Sequence, residues 1–308
     1  MTDTIELGFQ GLGKMGMNMV RRLRLGGHRV VCHDLVPDKK DEVTATGAEW
    51  ADTLGGVPAA LASPRIHWMM VPAGVVDEAI AGIRPHLESG DILIDGGNSR
   101  YTDTIRRGEE LAADGIDYVD VGTSGGVWGL EVGYCMMVGA SEAAFVRLEP
   151  ALATLAPPDG YLRVGPSGAG HYVKMVHNGI EYGIMEAYAE GFELMEAADF
   201  DLPLPDIAHL WNQGSVVRSW LLELAALALK EDPHLDELTG YVADSGEGRW
   251  TVEEAIHRRV PLTVISHSLM RRFASQQEDS FAMRLVAALR DQFGGHGVKA
   301  AEDGTSNE

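Results

Sequence analysis

The glycine-rich turn near the start of the chain constrains the fold more than any other stretch. Ile5 to Phe9 is a short apolar run typical of a strand, and it leads into Gly11-Leu12-Gly13-Lys14-Met15-Gly16. A helical pattern follows at 17–25, and a second apolar run at 28–33 is followed by Asp34. A Gly-x-Gly-x-x-Gly turn alone is a weak signal, but a strand, turn, helix and strand are the setting in which it binds a dinucleotide. The glycines allow a tight turn and close approach of a pyrophosphate, which the N–H groups of the helix N-terminus bind.

Asp34 distinguishes between two dinucleotides. A carboxylate at this place accepts hydrogen bonds from the ribose hydroxyls of NAD, and it repels the additional phosphate of NADP. The alternative is an ordinary turn aspartate before Pro37. The residues expected to bind the cofactor at this turn are Gly11, Leu12, Gly13, Met15, Gly16 and Asp34.

Strand and helix patterns continue to alternate beyond Asp34. The further strand patterns lie at 66–71, 91–95, 118–121, 136–139 and 161–164, and the helical patterns at 75–83, 104–114 and 142–155. This alternation predicts an α/β fold with a Rossmann-like, doubly wound, mostly parallel sheet. Ligands bind at the carboxyl ends of such strands. Three loops there carry the candidate residues Val71, Pro72 and Ala73, then Asn98, then Ser124, Gly125 and Gly126.

The composition changes at the glycine-rich stretch 165–170, beyond which we recognise only helical patterns. These lie at 171–197, 205–230, 251–259, 260–275 and 279–293. The sequence therefore predicts a dinucleotide-binding domain at 1–166 and an all-helical substrate and dimerisation domain at 167–308.

The first of these helical patterns carries a row of polar residues. Lys174, His177, Asn178 and Glu181 share one helix face, while the other faces are apolar. A helix that is apolar nearly all round is usually buried, so the row would face a cleft. The alternative is a solvated stripe on a surface helix.

Charge and composition exclude several classes of partner. The formal net charge is −21, from 46 acidic and 25 basic residues, which argues against binding to nucleic acid or anionic membranes. Cys32 and Cys135 lie in apolar runs and are expected to be buried thiols. With no signal-peptide pattern, no apolar run long enough to span a membrane and no evident metal cluster, we expect a cytoplasmic, metal-independent protein.

The motifs together resemble those of the decarboxylating 6-phosphogluconate dehydrogenases, particularly their short form, within the β-hydroxyacid dehydrogenase superfamily. The similar stretches are Gly-Leu-Gly-Lys-Met-Gly at 11–16, Asp-Gly-Gly-Asn-Ser at 95–99, Ser-Gly-Gly at 124–126, Lys-Met-Val-His-Asn-Gly-Ile-Glu-Tyr at 174–182 and Arg-Asp-Gln-Phe-Gly-Gly-His at 290–296. The last two are the most specific. The resemblance implies that Lys174 is the general base and Glu181 the general acid.

The resemblance also implies a substrate, 6-phosphogluconate, and residues that bind it. Those for the sugar acid are Asn98, Ser124, Gly125, Gly126, His177 and Asn178, and those for the phosphate are Tyr182, Arg272, Arg290 and His296. In this family the arginine and histidine of the tail come from a second subunit. The resemblance therefore implies a homodimer or a dimer of dimers.

Two departures from the family pattern alter these expectations. Where the family commonly has Lys-Gly-Thr-Gly-Lys-Trp-Thr, this chain has Ser245-Gly246-Glu247-Gly248-Arg249-Trp250-Thr251. Ser245 then replaces a phosphate-binding lysine as a candidate ligand, and Glu247 replaces a threonine.

Members that use NADP have an arginine in place of Asp34 and a lysine in place of Pro72. Both changes favour NAD over NADP. The further residues expected to line the cofactor site are Val71, Pro72, Ala73 and Asn98.

The expected reaction is the NAD-dependent oxidation and decarboxylation of 6-phosphogluconate to ribulose 5-phosphate and CO₂, a step of the pentose phosphate pathway and gluconate metabolism. Burial would lower the pKa of Lys174 so that it can act as a base. One alternative is an NAD(P)-dependent β-hydroxyacid dehydrogenase or semialdehyde reductase, which has no use for Glu181. The other is a non-catalytic NAD-binding sensor, for which we would expect the base or the acid to be missing.

Overall fold

The computed structural model describes residues 4–294 and residue 299. The chain divides into two compact units, which we call the sheet unit (Met1–Glu181 with Gly246–Pro261) and the helical unit (Tyr182–Ser245 with Leu262–Glu308). The sheet unit thus includes a segment from the second half of the sequence. The domain boundary after residue 166 stays a prediction from the sequence pattern.

The sheet unit is built on a single eight-stranded sheet. In chain order its strands are β1 (Glu6–Gln10), β2 (Arg29–His33), β3 (Glu49–Trp50), β4 (Ile66–Met69), β5 (Ile92–Asp95), β6 (Asp117–Ser124), β7 (Cys135–Gly139) and β8 (Tyr161–Gly165). Their spatial order is β3-β2-β1-β4-β5-β6-β7-β8, and all neighbours are parallel except β6 and β7. The predicted Rossmann-like, mostly parallel sheet is confirmed.

Both units of the described chain contain helices, which are numbered here in chain order. They are α1 (Lys14–Leu25), α2 (Lys39–Ala45), α3 (Gly56–Ala59), α4 (Val76–Ile83), α5 (Tyr101–Ala112), α6 (Gly129–Val132), α7 (Glu142–Leu155), α8 (Ala169–Glu196), α9 (Leu204–Trp211), α10 (Trp220–Glu231), α11 (Glu247–Arg258), α12 (Thr263–Ser275) and α13 (Phe281–Gly294). The predicted all-helical character of the second part of the chain is confirmed. Within the described residues, no helix combines the length and apolar character that crossing a bilayer requires.

Helices cover the sheet, so the central strands are apolar without alternation. Every residue of β4 and β5 is buried, as expected for strands packed on both faces. The largest core cluster includes Phe9 and Trp68, whose stacked rings have centroids 6.3 Å apart. In the helical unit, a smaller core joins α9 and α10 to Phe192 of α8.

Several elements differ from the sequence prediction. The short elements α2, β3, α3 and α6 were not predicted. The single helix predicted at 205–230 is wrong, because α9 and α10 are separated at 212–219, where Gly214 has φ +90°. The helix predicted from Val260 begins only at Thr263, because Arg259 ends α11 in the left-handed conformation.

The prediction of two buried thiols is half right. Cys32 is buried inside β2, whereas Cys135 is exposed. Cys135 begins β7 and pairs with Ser124 at the end of β6, so an apolar run here does not imply burial at its first residue.

Candidate active site

The glycine turn between β1 and α1 has the geometry that a dinucleotide requires. Gly11 has φ +89°, and a Cβ there would lie 2.4 Å from the Met70 carbonyl oxygen. A Cβ at Gly16 would lie 2.1 Å from the Gly11 carbonyl oxygen. Beside Gly13 the space is open, since no described atom comes within 4 Å of a Cβ placed there. Glycine is therefore required at 11 and 16 because the turn packs too closely there for a side chain. Gly13 instead leaves room for a ligand at the start of α1.

Asp34 combines the two roles weighed for it from the sequence. Its Oδ1 accepts a hydrogen bond from the Val36 N–H at 2.9 Å, as a turn aspartate does. Its Oδ2 accepts one from the Leu12 N–H at 2.6 Å and so ties β2 to the glycine turn. A carboxylate has about four acceptor sites, so this half-buried group retains capacity for ribose hydroxyls.

The three loops after β4, β5 and β6 lie at the same edge of the sheet as the glycine turn, because these strands are parallel to β1 or to one another. The candidates there are Val71, Pro72 and Ala73 after β4, Asn98 after β5, and Ser124, Gly125 and Gly126 at the end of β6. Pro72 and Asn98 are exposed, and Gly125 and Gly126 adopt positive φ values of 132° and 52°. The structure therefore brings the predicted cofactor loops and part of the predicted substrate loops to one edge.

A buried carboxylate fixes the loop that carries Asn98. Asp95 ends β5 and is fully buried. Its Oδ1 accepts from the Gly97 N–H at 3.1 Å, and its Oδ2 accepts from the Ser99 Oγ at 2.6 Å and the Tyr118 hydroxyl at 3.2 Å. Asn98 is held between two anchored neighbours. This role of Asp95 was not predicted, although an acid at the end of an apolar strand was a signal for it.

Lys174 lies where α8 packs directly against β6. A Cβ at Gly122 of β6 would lie only 2.4 Å from the Lys174 Cβ, so glycine allows this approach. The Lys174 side chain is 6% exposed, and burial lowers its pKa from the ordinary lysine value, although Glu181, Glu247 and Cys135 oppose that shift. A lysine with a lowered pKa is suited to act as a base.

The polar row on α8 forms one connected group. The Lys174 Nζ is 3.4 Å from the His177 Nδ1, which is 3.1 Å from the Asn178 Oδ1 and 3.8 Å from the Glu181 Oε2. Asn178 is buried, and His177 and Glu181 are half-buried. The row is partly enclosed rather than a solvated stripe.

Asp120 anchors the N-terminal turn of α8 in front of this row. It is fully buried in β6, and its two oxygens accept from the N–H groups of Gly168 at 2.6 Å and His171 at 2.7 Å. Burial raises the pKa of Asp120 in spite of these bonds. The role of Asp120 was not predicted from the sequence, because its partners lie far along the chain.

Helix α11 packs its first turns against the same part of α8. The Thr251 hydroxyl donates to the Met175 carbonyl at 2.8 Å, and a Cβ at Gly179 would lie 2.7 Å from the Thr251 Cγ2. Glu247, the first residue of α11, is 7% exposed. Residues 246–251 of the segment that departs from the family pattern therefore pack beside Lys174 in the sheet unit.

Three of the predicted phosphate ligands lie together in the helical unit. The Arg272 guanidinium carbon lies 3.4 Å from the centroid of the buried Tyr182 ring, and the Tyr182 hydroxyl lies 3.4 Å from the Ser245 Oγ. Arg290 lies on α13 and is exposed. His296 lies outside the described residues, so its predicted role stays a prediction.

Two family models cover most of the chain. Residues 6–165 match the model of the NAD binding domain of 6-phosphogluconate dehydrogenase, and residues 170–283 match that of the 6-phosphogluconate dehydrogenase C-terminal domain. The chain belongs to the 6-phosphogluconate dehydrogenase family. The resemblance stated from the motifs is confirmed.

Relatives within this family extend along nearly the whole chain. A protein of Haloferax volcanii named NAD(+)-dependent, decarboxylating 6-phosphogluconate dehydrogenase is 43% identical over 97% of this chain and 100% of its own length. The Bacillus subtilis protein YqeC, provisionally named a 6-phosphogluconate dehydrogenase, is 44% identical over 96% and 99%. The solved structure of the Plasmodium falciparum 6-phosphogluconate dehydrogenase, studied with NADP+ and with 6-phosphogluconate, is 28% identical with a TM-score of 0.82 over 98% of this chain and 67% of that one.

Proposed function

We propose that this protein oxidises and decarboxylates 6-phosphogluconate to ribulose 5-phosphate and CO₂ with NAD as the hydride acceptor. The observation that carries the proposal is the buried Lys174 on the same helix face as Glu181, just after a dinucleotide-binding sheet. A base alone suffices for a hydroxyacid dehydrogenase. A second acid suits a reaction that must also return a proton to carbon after CO₂ has left.

The oxidation step needs a base at the C3 hydroxyl of the substrate. Bound NAD supplies the acceptor for the hydride from C3. Neutral Lys174 takes the hydroxyl proton, and its lowered pKa keeps the neutral form accessible. His177 and Asn178, next on the same face, orient the sugar acid towards it.

The decarboxylation step uses the same lysine in its charged form. The product of oxidation is a β-keto acid, which loses CO₂ when its developing enolate oxygen is stabilised. Protonated Lys174 provides that positive charge. Glu181 then donates a proton to C1 of the enediolate, whose C2 oxygen becomes the carbonyl oxygen of ribulose 5-phosphate.

The preference for NAD rests on two side chains at the edge of the sheet. Asp34 would accept the ribose hydroxyls and repel the phosphate of NADP. Pro72, exposed after β4, offers that phosphate no positive charge. The name of the Haloferax relative supports the same cofactor.

For the substrate phosphate we propose Tyr182, Ser245 and Arg272 as ligands, with Arg290 and His296 supplied by a second copy of the chain. Helix α13 supports this arrangement, because Phe281, Leu285 and Leu289 recur along one face and are all exposed in the single chain. An apolar face of this kind suits burial against another copy, in a homodimer or a dimer of dimers.

Analytical ultracentrifugation tests the proposal. Leu285→Glu should yield monomers, and a monomeric native chain would refute it.

The pathway and the location belong to the same proposal. A 6-phosphogluconate dehydrogenase of this kind would serve the pentose phosphate pathway and gluconate metabolism in the cytoplasm. No nucleic acid or membrane partner is proposed, because the net charge of −21 disfavours both.

One assay distinguishes the proposed reaction from its alternatives. The protein is mixed with 6-phosphogluconate and NAD, and reduced cofactor and CO₂ are measured together. We expect equal amounts of both. Reduced cofactor without CO₂ would indicate a hydroxyacid dehydrogenase, and no turnover would indicate a sensor.

Glu181→Gln tests the role of the acid within that assay. We expect ribulose 5-phosphate formation to fall by about 10²–10⁴-fold, the usual contribution of a general acid. Glu190→Gln, an exposed change on the same helix, is the matched control and should keep the native rate. An unchanged rate in Glu181→Gln would refute the assignment.

A further inference from the structure

Glu247 brings into the electrostatic surroundings of Lys174 a carboxylate that the family pattern does not contain. The common family motif has a threonine at this place, whereas Glu247 is a buried residue of the sheet unit with 7% of its surface exposed. Buried carboxylates are rare unless a partner compensates their charge. The position therefore calls for a reason connected with its surroundings.

The packing of α11 fixes where Glu247 lies. The bond from the Thr251 hydroxyl to the Met175 carbonyl, one residue after Lys174, locks the first turns of α11 onto α8. Gly179 allows this contact, since a Cβ there would collide with Thr251. At the first residue of a helix, the N–H groups also stabilise a negative charge.

Four titratable groups from three elements interact with Lys174. His177 and Glu181 come from α8 itself, Cys135 from β7 and Glu247 from α11. Burial lowers the pKa of Lys174, and the electrostatic effects of Glu181, Glu247 and Cys135 oppose that shift. Without compensation, burial would make the lysine a weak base and would leave its ammonium form poorly stabilised.

In the proposed reaction the charge of Glu181 is not constant. Glu181 holds a proton when it serves as the acid, so at that stage it cannot balance the Lys174 ammonium. We propose that Glu247 is a positioning residue for the base, whose carboxylate keeps one negative charge beside Lys174 throughout the cycle. Glu247 itself exchanges no proton with the substrate. This inference rests on the proposed function, because it assigns Glu181 and Lys174 their roles.

The test compares Glu247→Gln with the native enzyme across pH. The amide keeps the shape of the side chain and removes its charge, so the Lys174 ammonium loses a favourable partner. The acid limb of the kcat/KM profile reports the free-enzyme base, and we expect it to move to lower pH by about one unit. The maximal kcat should fall by about tenfold, while KM for 6-phosphogluconate changes less than threefold, as expected for a group that acts through the lysine.

Two further variants separate charge from structure. Glu247→Asp keeps the charge and should restore the acid limb to within a few tenths of a pH unit. Glu253→Gln removes an exposed charge from the same helix, where it pairs with Arg100 at 2.8 Å, and should leave the profile unchanged. A Glu247→Gln profile that coincides with the native one would overturn the proposal, and so would an Asp variant that behaves like the Gln variant.

A readout without turnover keeps this inference distinct from the proposed reaction. Only a neutral amine reacts with acetylating reagents, so the pH dependence of Lys174 acetylation, followed by peptide mass spectrometry, reports its titration directly. We expect the midpoint to move to lower pH in Glu247→Gln and to return in Glu247→Asp. If the native protein fails to turn over 6-phosphogluconate, the proposed function is refuted, and an unmoved midpoint refutes the role of Glu247 by itself.

Discussion

At the scale of single residues, several positions in the sheet unit stabilise the fold next to candidate ligand-binding groups. Asp34 supports the glycine turn through Leu12 while keeping acceptor sites for a ribose. Asp95 anchors both neighbours of Asn98. Gly122 lets the backbone of Lys174 approach the sheet. Because each of these residues touches a candidate ligand-binding group, its substitution should alter kinetics as well as stability.

Asp34→Asn tests the double role of the residue after β2. The amide keeps one oxygen acceptor for the turn but loses the charge, and a hydrogen bond to a charged group contributes about 1.5–3 kcal/mol. We expect KM for NAD to rise about tenfold or more, and the preference for NAD over NADP to narrow, because the repulsion of the extra phosphate disappears. Steady-state kinetics with both cofactors measure the change. The control, Asp38→Asn, removes an exposed carboxylate in the next turn and should change neither KM for NAD nor the cofactor preference. An unaltered preference in the Asp34 variant would refute the assignment.

At the scale of elements, the sequence predicted what depends on local pattern. The strand and helix patterns located all the strands except β3, because buried parallel strands read as apolar runs. The break between α9 and α10 escaped prediction, because apolar residues continue at helical spacing across Gly214. The return of α11 to the sheet unit also escaped it, since the bond between Thr251 and Met175 joins residues far apart in the chain. The same long separation hid the bonds of Asp120 to Gly168 and His171.

Asp120→Asn tests whether that carboxylate holds the start of α8. An amide nitrogen would face one of the two N–H groups, so one hydrogen bond is lost and a buried donor stays unsatisfied. The expected cost is about 1–3 kcal/mol of the free energy of unfolding, and kcat should fall with it as Lys174 shifts. Urea unfolding and initial rates measure the two effects. The control is Asp117→Asn, which changes an exposed residue of the same strand. Equal stability of the two variants would show that Asp120 does not anchor α8.

At the scale of the whole molecule, the negative net charge disfavours the proposed anionic substrate. A chain with a net charge of −21 repels a sugar acid phosphate at long range. The proposed binding therefore requires local positive charge, and Arg272, which lies over the Tyr182 ring in the helical unit, is the candidate proposed above to supply it. The composition argued against nucleic acid as a partner but could not locate this cluster, because its residues are brought together only by the fold.

The stability of the whole molecule towards acid should depend on one buried imidazole. His67 in β4 is 1% exposed, and burial lowers its pKa to about 3. An unfolded histidine titrates near 6.5, so between these values the unfolded chain binds a proton that the folded chain excludes. Stability from this group is complete above about pH 6.5, and as the pH falls it is lost by up to about 1.4 kcal/mol per unit. His67→Gln should therefore flatten the decline in the free energy of unfolding between pH 6 and pH 4, measured by urea titration at each pH. His257→Gln, which removes an exposed imidazole from α11, should leave the slope as it is. If the two variants and the native protein decline in parallel, His67 takes up its proton without unfolding and the buried site must open locally in acid.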